Sequence, residues 1–294
     1  MKLVLFILST LFLVFACNNS IADDKATLNW SGCGITKKAF MAELAAAYEQ
    51  KTGIKINLRG GGATRGIRDV VKQTADIGGA CRVQMELSSI ERRAEQIPVA
   101  WDALVVIVHS SNPVNEISLS QLRHVYRGDI TNWKQLGGRD APIELYARTG
   151  NISGVGFTLR ELVFNNLDEI FKASRFFKSS GPLEQAIEQN ANAIGTTGIS
   201  SANRRNIKIL KLEGKKPSFD NIRRGKYLLY RPLYLVIQQF EKDQRVLDFK
   251  NFALSNEGQD IIRNTGSVPY VDAVQLVMKQ LAEKRRALSI KPAD

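Results

Sequence analysis

The chain has 294 residues, 44% of them hydrophobic and 24% charged, with a formal net charge of +12. That length is enough for two lobes and a substantial core, and the composition is that of an ordinary globular protein. The basic surplus favours an anionic ligand or an anionic membrane surface; with no Cys/His zinc spacing and no aromatic nucleic-acid signature beside it, nucleic acid is not the expected partner.

At the N-terminus, Lys2 precedes an apolar run from Leu3 to Phe15. The run is too short for a stable membrane span and reads as a signal peptide over residues 1–17. Val14-Phe15-Ala16-Cys17 resembles a lipobox, which predicts lipidation of Cys17; cleavage after Ala22, behind Ser20-Ile21-Ala22, is the alternative. Both predict an exported protein, periplasmic or extracytoplasmic, attached to a membrane only through a lipid anchor.

Beyond the leader, strand-like and helix-like segments alternate, the pattern of an α/β fold. Thr27 to Trp30 reads as a strand, and Thr36 can cap a helix with Phe40, Leu44, Ala47 and Tyr48 on its apolar face. Ile54 to Leu58 is a second strand. It feeds the turn Gly60-Gly61-Gly62-Ala63-Thr64-Arg65-Gly66 and a helix near Ile67 to Thr74. Asp76 to Gly79 is a short strand, and Ala103 to Val108 reads as a strand buried on both faces. Asn112-Pro113 marks a crossover between lobes. Ser118 to Tyr126 forms a capped helix, and strand Ile143 to Ala147 enters the turn Arg148 to Gly154, followed by a helix with Leu159, Leu162 and Val163 inward. Pro182 suits a helix start; Ala193 to Gly195 and Ile207 to Leu212 add strands, and Arg231 to Ile237 returns to the first lobe. The last helix is expected to turn Val274, Val277, Met278 and Leu281 inward and to end at Lys284-Arg285-Arg286.

Three turns, near Cys33, Gly62 and Ser153, each open a helix. Helix N-termini carry unpaired N–H groups and a positive dipole end, so three that converge would hold an oxyanion. The Gly60 turn lacks the Gly-Lys-Ser/Thr ending of a P-loop and the spacing of a dinucleotide site.

The order of these motifs resembles the periplasmic phosphate-binding proteins of ABC transporters, a branch of the type II periplasmic binding protein fold. The stretches that carry the resemblance are Gly60 to Ile67, Ala75 to Arg82, Trp101-Asp102-Ala103, Asn112-Pro113-Val114 and Gly128 to Trp133, then Leu136-Gly137-Gly138, Arg148 with Ser153-Gly154, Ala193-Ile194-Gly195, Arg231 to Tyr234, and Leu254 to Gln259. The resemblance implies a two-lobed α/β protein of mixed sheets flanked by helices, with the ligand cleft between the lobes. Lobe 1 would comprise 25–109 plus 230–290 and lobe 2 residues 110–229. It also implies capture of a small oxyanion, phosphate above all, and delivery to an ABC permease. The alternative is a sensory binding protein that feeds a membrane receptor or kinase. A monomer is expected, with no cofactor and no metal.

Carried over to this sequence, the family's contacts fall at Thr36, Gly62, Ala63, Thr64, Cys81, Arg82, Arg148, Ser153 and Gly154. Several hydroxyl donors are missing: Ala63 stands where the family usually has serine, Ala80-Cys81 where it has serine or aspartate, and Val155 where it has threonine. Hydrogen bonds to a charged group contribute about 1.5–3 kcal/mol each, so two or three losses alter affinity by orders of magnitude. Arginines offer compensation, with Arg65 beside Arg82 and Arg148.

The resemblance also brings Cys33 and Cys81 to one cleft rim. Three readings stand: a disulfide, worth roughly 4 kcal/mol in the chain-entropy model; a thiol pair touching a soft ligand such as trivalent arsenic or a thiophilic metal; and a redox-gated site. Asp76, Asp102, the two histidines and the three tryptophans read as structural. No enzyme is expected, because the chain shows no Gly-x-Ser-x-Gly elbow, no paired carboxylates at a shared turn and no Cys-x-x-Cys.

Overall fold

The computed structural model describes residues 27–85 and 88–281. The leader at 1–17, its alternative end at Ala22, the lipidation candidate Cys17 and the Lys284-Arg285-Arg286 helix end lie outside the described residues. In chain order the strands are β1 (Thr27–Gly32), β2 (Lys55–Gly60), β3 (Ile77–Ala80), β4 (Ala94–His109), β5 (Glu116–Ile117), β6 (Glu144–Arg148), β7 (Arg175–Phe177), β8 (Ala193–Gly198), β9 (Ile207–Ile209), β10 (Lys211–Leu212), β11 (Tyr230–Gln238) and β12 (Val268–Pro269). The main sheet runs β2-β1-β3-β11-β4-β8-β6-β7, with β9 and β12 also on β4. It is mixed: β1 is parallel to β2 and β3, β6 is parallel to β7 and β8, and β11 is antiparallel to β3 and β4.

The apolar run at Ala103 is the second half of a longer strand. β4 pairs with β11 from Ala94 to Ala103 and with β8 and β9 from Leu104 to His109. One unbroken strand thus carries the sheet between its two halves. Every residue from Val99 to Val108 is buried, which accounts for a run without polar alternation.

The first helix starts earlier than Thr36. Cys33 is extended (φ −77°, ψ 146°) and its Sγ takes the N–H of Thr36 at 3.3 Å, so the cysteine is the cap. Thr36 lies inside the first turn and its Oγ1 donates to Cys33 O at 2.9 Å. The helix runs on through Gly34–Thr36, a π-helical Lys37–Met41 and Ala42–Thr52, then stops at Gly53 with φ 77°. Phe40, Leu44 and Tyr48 are buried on its inner face and Ala47 packs beside them, as the periodicity predicts. At the helix Leu119–Arg127, Ser118 and Gln121 form a reciprocal capping box.

The final helix differs from expectation. Val277 packs against the core as expected, but Val274, Met278 and Leu281 are exposed, whereas Ala273 and Leu276 are buried. The face is rotated because Leu276 packs over Gly225 while Lys279 Nζ donates to Gly225 O and covers the Tyr230 ring. All three tryptophans serve packing: Trp30, Trp101 and Trp133 are fully buried, and Trp101 stacks on Tyr270.

Candidate functional site

Parallel strands end on one side of a sheet, so the turns that follow them gather there. β1, β2 and β3 deliver Cys33 to Ile35, Gly60 to Thr64, and Cys81; β6 and β7 deliver Arg148 with Thr149 and Lys178 to Gly181. Together with Ile152 to Gly154, Lys38, Ser201 and Arg205 they enclose a cavity of about 570 Å³. Seven of the nine sequence-predicted contacts line it: Gly62, Ala63, Thr64, Cys81, Arg148, Ser153 and Gly154. Thr36 and Arg82 do not.

The glycine turn holds itself together before it holds anything else. Gly62 has φ 96° and ψ 162°, a conformation that side chains resist. The N–H groups of Gly61 and Gly62 both donate to Gly32 O, at 2.8 and 3.1 Å, and so fasten the turn to β1. What remains for a ligand is the first turn of the helix Ala63–Val71, whose leading N–H groups have no partner within the helix. On the facing turn, Ser153 caps the helix Gly154–Leu159 by accepting from Gly156 N at 3.2 Å, which leaves its O–H to donate elsewhere.

The two walls meet closely. A Cβ built on Gly154 would lie 2.3 Å from Cys81 Sγ and 3.2 Å from Ala63 Cβ, so only glycine fits. Thr64 Oγ1 and Arg82 Nε both donate to Ile152 O, at 2.9 and 3.0 Å. Lys38 Nζ donates to Ser201 Oγ at 2.8 Å on the opposite rim. The cleft is bridged on both flanks.

The two carried-over arginines part company. Arg82 is fully buried, with five hydrogen bonds for five N–H groups: Glu91 bidentately at 2.6 and 2.9 Å, Val83 O, Ile152 O and Thr64 Oγ1. Burial raises the Glu91 carboxyl, but Arg82 and the Met85 N–H outweigh it and hold it below its ordinary value. Arg148 instead donates to Phe177 O, Ser180 Oγ and Lys178 O at 3.1, 2.9 and 2.6 Å. Among the described residues no carboxylate pairs with it, and one N–H on each terminal nitrogen remains. Burial lowers its pKa from the ordinary value, against the opposing pull of Cys81 and Cys33.

Sequence reasoning missed Lys38, Lys178, Ser179, Ser180 and Arg205, which come from three separate segments. One signal was available: Ser179-Ser180 precedes Pro182 and opens a helix at the cavity, a fourth such turn. It also missed Glu184. This carboxylate is fully buried, accepts from Thr197 Oγ1 at 2.5 Å, and pairs with Lys38 at 3.6 Å and Arg205 at 3.4 Å. Below the cavity Arg231 and Asp102 form a buried pair at 3.1 Å, and Arg231 also donates to Cys81 O. Burial raises the Asp102 carboxyl, with Arg231 opposing.

Cys33 and Cys81 both line the cavity, buried, as free thiols. Burial pushes Cys33 up, but the bonds from Cys81 and Thr36 and the charge of Arg231 outweigh it and bring the thiol down to about 7. Cys81 is raised well above its ordinary value, first by its bond to Cys33 and then by burial. Elsewhere, Asp76 accepts from Asn29 N at 2.6 Å and so orients backbone, while His109 and His124 bond to Ser111 and Asp129. No group of three or more His, Cys, Asp or Glu among the described residues could hold a metal ion.

The arrangement is that of a two-lobed solute-binding protein, and the comparisons agree. Residues 32–257 match the PBP superfamily domain, so the chain belongs to that superfamily. It is 26% identical to the phosphate-binding protein PstS of Borreliella burgdorferi over 90% of this chain and 96% of the relative. Protein SphX of Synechococcus elongatus is 30% identical, over 78% of this chain and 74% of its own. Among solved structures, a Clostridium perfringens protein described as a phosphate ABC transporter substrate-binding protein, with bound phosphate, superposes with a TM-score of 0.74 and 28% identity. That match covers 83% of this chain and 99% of the other. An ABC-type phosphate transport receptor from Vibrio cholerae gives 0.63 and 27%, covering 82% and 99%. The relatives named for phosphate are binding and transport proteins, not enzymes.

Proposed function

We propose that this chain captures inorganic phosphate in the cleft and delivers it to an ABC permease. The observation that carries the reading is Arg148: a buried guanidinium held by carbonyls and a hydroxyl, in direct ion pair with no carboxylate among the described residues, with two N–H groups still unused. Thr149, Ser153, Ser179 and Ser180 stand around the same space as hydroxyl donors, and Lys178 adds a second cation. They compensate for the hydroxyls absent at Ala63, Cys81 and Val155. The phosphate-binding relatives point to the same ligand.

In this reading segments 25–109 with 230–290 and segment 110–229 close as two lobes on the anion. The protein is exported, works as a monomer, and is tethered through Cys17. No described helix is long and apolar enough to cross a membrane. Calorimetry of the reduced protein against phosphate, arsenate and sulfate tests the central claim: saturable phosphate binding that Arg148→Ala weakens supports it, and no heat with any of the three oxyanions overturns it. Stimulation of phosphate uptake in vesicles bearing the cognate permease tests delivery; binding without stimulation would favour a receptor or kinase as the partner.

A further inference from the structure

An anion cavity gains nothing obvious from two thiols in its wall. Cys33 and Cys81 are both there, free and buried. The sheet sets the pairing: β1 and β3 are parallel neighbours with Gly32 opposite Gly79, and Cys33 N donates to Gly79 O at 3.1 Å. Each cysteine is therefore the first residue after its strand, at adjoining ends.

Their surroundings differ in the sense that thiol exchange needs. Cys33 Sγ receives the Thr36 N–H and meets Thr36 Oγ1, both at 3.3 Å, near Arg231, and its thiol sits at about 7. Cys81, raised well above its ordinary value first by its interaction with Cys33 and then by burial, keeps its proton. One sulfur is poised as the attacking thiolate, and the other waits at the end of the neighbouring strand to resolve the intermediate.

We propose that Cys33 and Cys81 are a redox modification site, closed to a disulfide by exchange with a small-molecule disulfide that enters the cavity, and that closure alters the cavity's affinity for its anion. The Cys33 thiolate attacks one sulfur of RSSR, forms the mixed disulfide Cys33–S–SR and expels RS⁻, which takes up the Cys81 proton. The Cys81 thiolate then attacks the Cys33 sulfur, and the second RS⁻ leaves and is protonated by water. Two protein thiols are oxidised and one small disulfide is reduced to two RSH. At pH 8 the reduced pair holds a negative charge where an anion must bind; the disulfide removes it. Binding at pH 8 is therefore tighter in the oxidised form.

The affinity half of this inference rests on phosphate being the ligand, whereas the thiol half does not. The test treats the full-length reduced protein with hydroxyethyl disulfide at pH 8. Peptide mass mapping locates the thiols, and calorimetry with phosphate is run before and after oxidation. The expected map shows Cys33 and Cys81 peptides cross-linked with no adduct. In Cys81→Ser the trapped hydroxyethyl adduct sits on Cys33. The phosphate Kd of the wild type falls at least threefold on oxidation and recovers with reductant, and Cys33→Ser loses that response. Cys33 and Cys81 both still alkylatable in the treated wild type, or a cross-link that moves Kd less than threefold, overturn the inference. If phosphate binds in neither state the proposed ligand fails, while the wild-type map still decides the thiol chemistry even should a variant fail to fold.

Discussion

Arg82, just past the end of β3, and Arg148, the last residue of β6, are both buried, yet they are put to opposite uses. Arg82 is anchored by a carboxylate, which satisfies its geometry and cancels its charge. Arg148 is anchored by two carbonyls and a serine hydroxyl, which orient the guanidinium without neutralising it. The lesson is that the anchor, rather than the arginine, decides whether a buried cation serves the fold or a ligand.

The largest expected effect separates these uses. Arg82→Leu strands Glu91 as a buried, unpaired carboxylate and should cost about 3–5 kcal/mol of stability. Denaturant melts should show it, while the phosphate Kd of the folded protein shifts little. A large Kd change without destabilisation would reverse the assignment. Arg148→Ala should do the opposite, weakening phosphate binding by about ten- to a hundredfold if it supplies one charged hydrogen-bond set worth about 1.5–3 kcal/mol. An unchanged Kd would show that Arg148 merely ties β6 to the Lys178 loop.

Gly154→Ala probes the contact between the walls. Its Cβ would collide with Cys81 Sγ, so overpacking of about 1–3 kcal/mol is expected, relieved in the double variant with Cys81→Ala. Failure of the double variant to recover would place the strain elsewhere. Thr64→Val removes the hydroxyl shared by Ile152 O and Arg82, a loss of about 1 kcal/mol seen in thermal melts. No change would mean that Arg82 and Glu91 hold that flank unaided. The smallest effect is on rate. Cys33 is lowered to about 7, so its thiolate fraction grows as pH rises through 7. Alkylation at Cys33 should climb between pH 6 and 8 while the raised Cys81 lags; equal rates at the two cysteines would remove the distinction.

Much of the fold was readable residue by residue. The Phe40-Leu44-Tyr48 face, the Ser118 cap, the strand at Ile143 and the buried run to Val108 follow from periodicity and capping chemistry, which act over a few residues. Seven of the predicted contacts reach the cavity because each follows a strand of a parallel pair or lies on the Ser153 turn. Two things stayed out of reach. Thr36 looked like a cap, but Cys33 Sγ took that place; a thiol is not an ordinary cap, and only the surrounding turn makes it one. Glu91 gives no local sign that it will claim Arg82.

By itself, then, the sequence determined the alternation of strands and helices and the place of the glycine turn at Gly60 to Gly62, since both depend on local backbone geometry. The tertiary structure alone decided which cations remain available. Glu91 claims Arg82, Asp102 claims Arg231 and Glu184 draws Lys38 and Arg205, whereas Arg148 meets only neutral oxygens among the described residues. Pairings of that kind join residues from distant segments, and a charge is cancelled only by the groups that folding brings within a few ångströms of it.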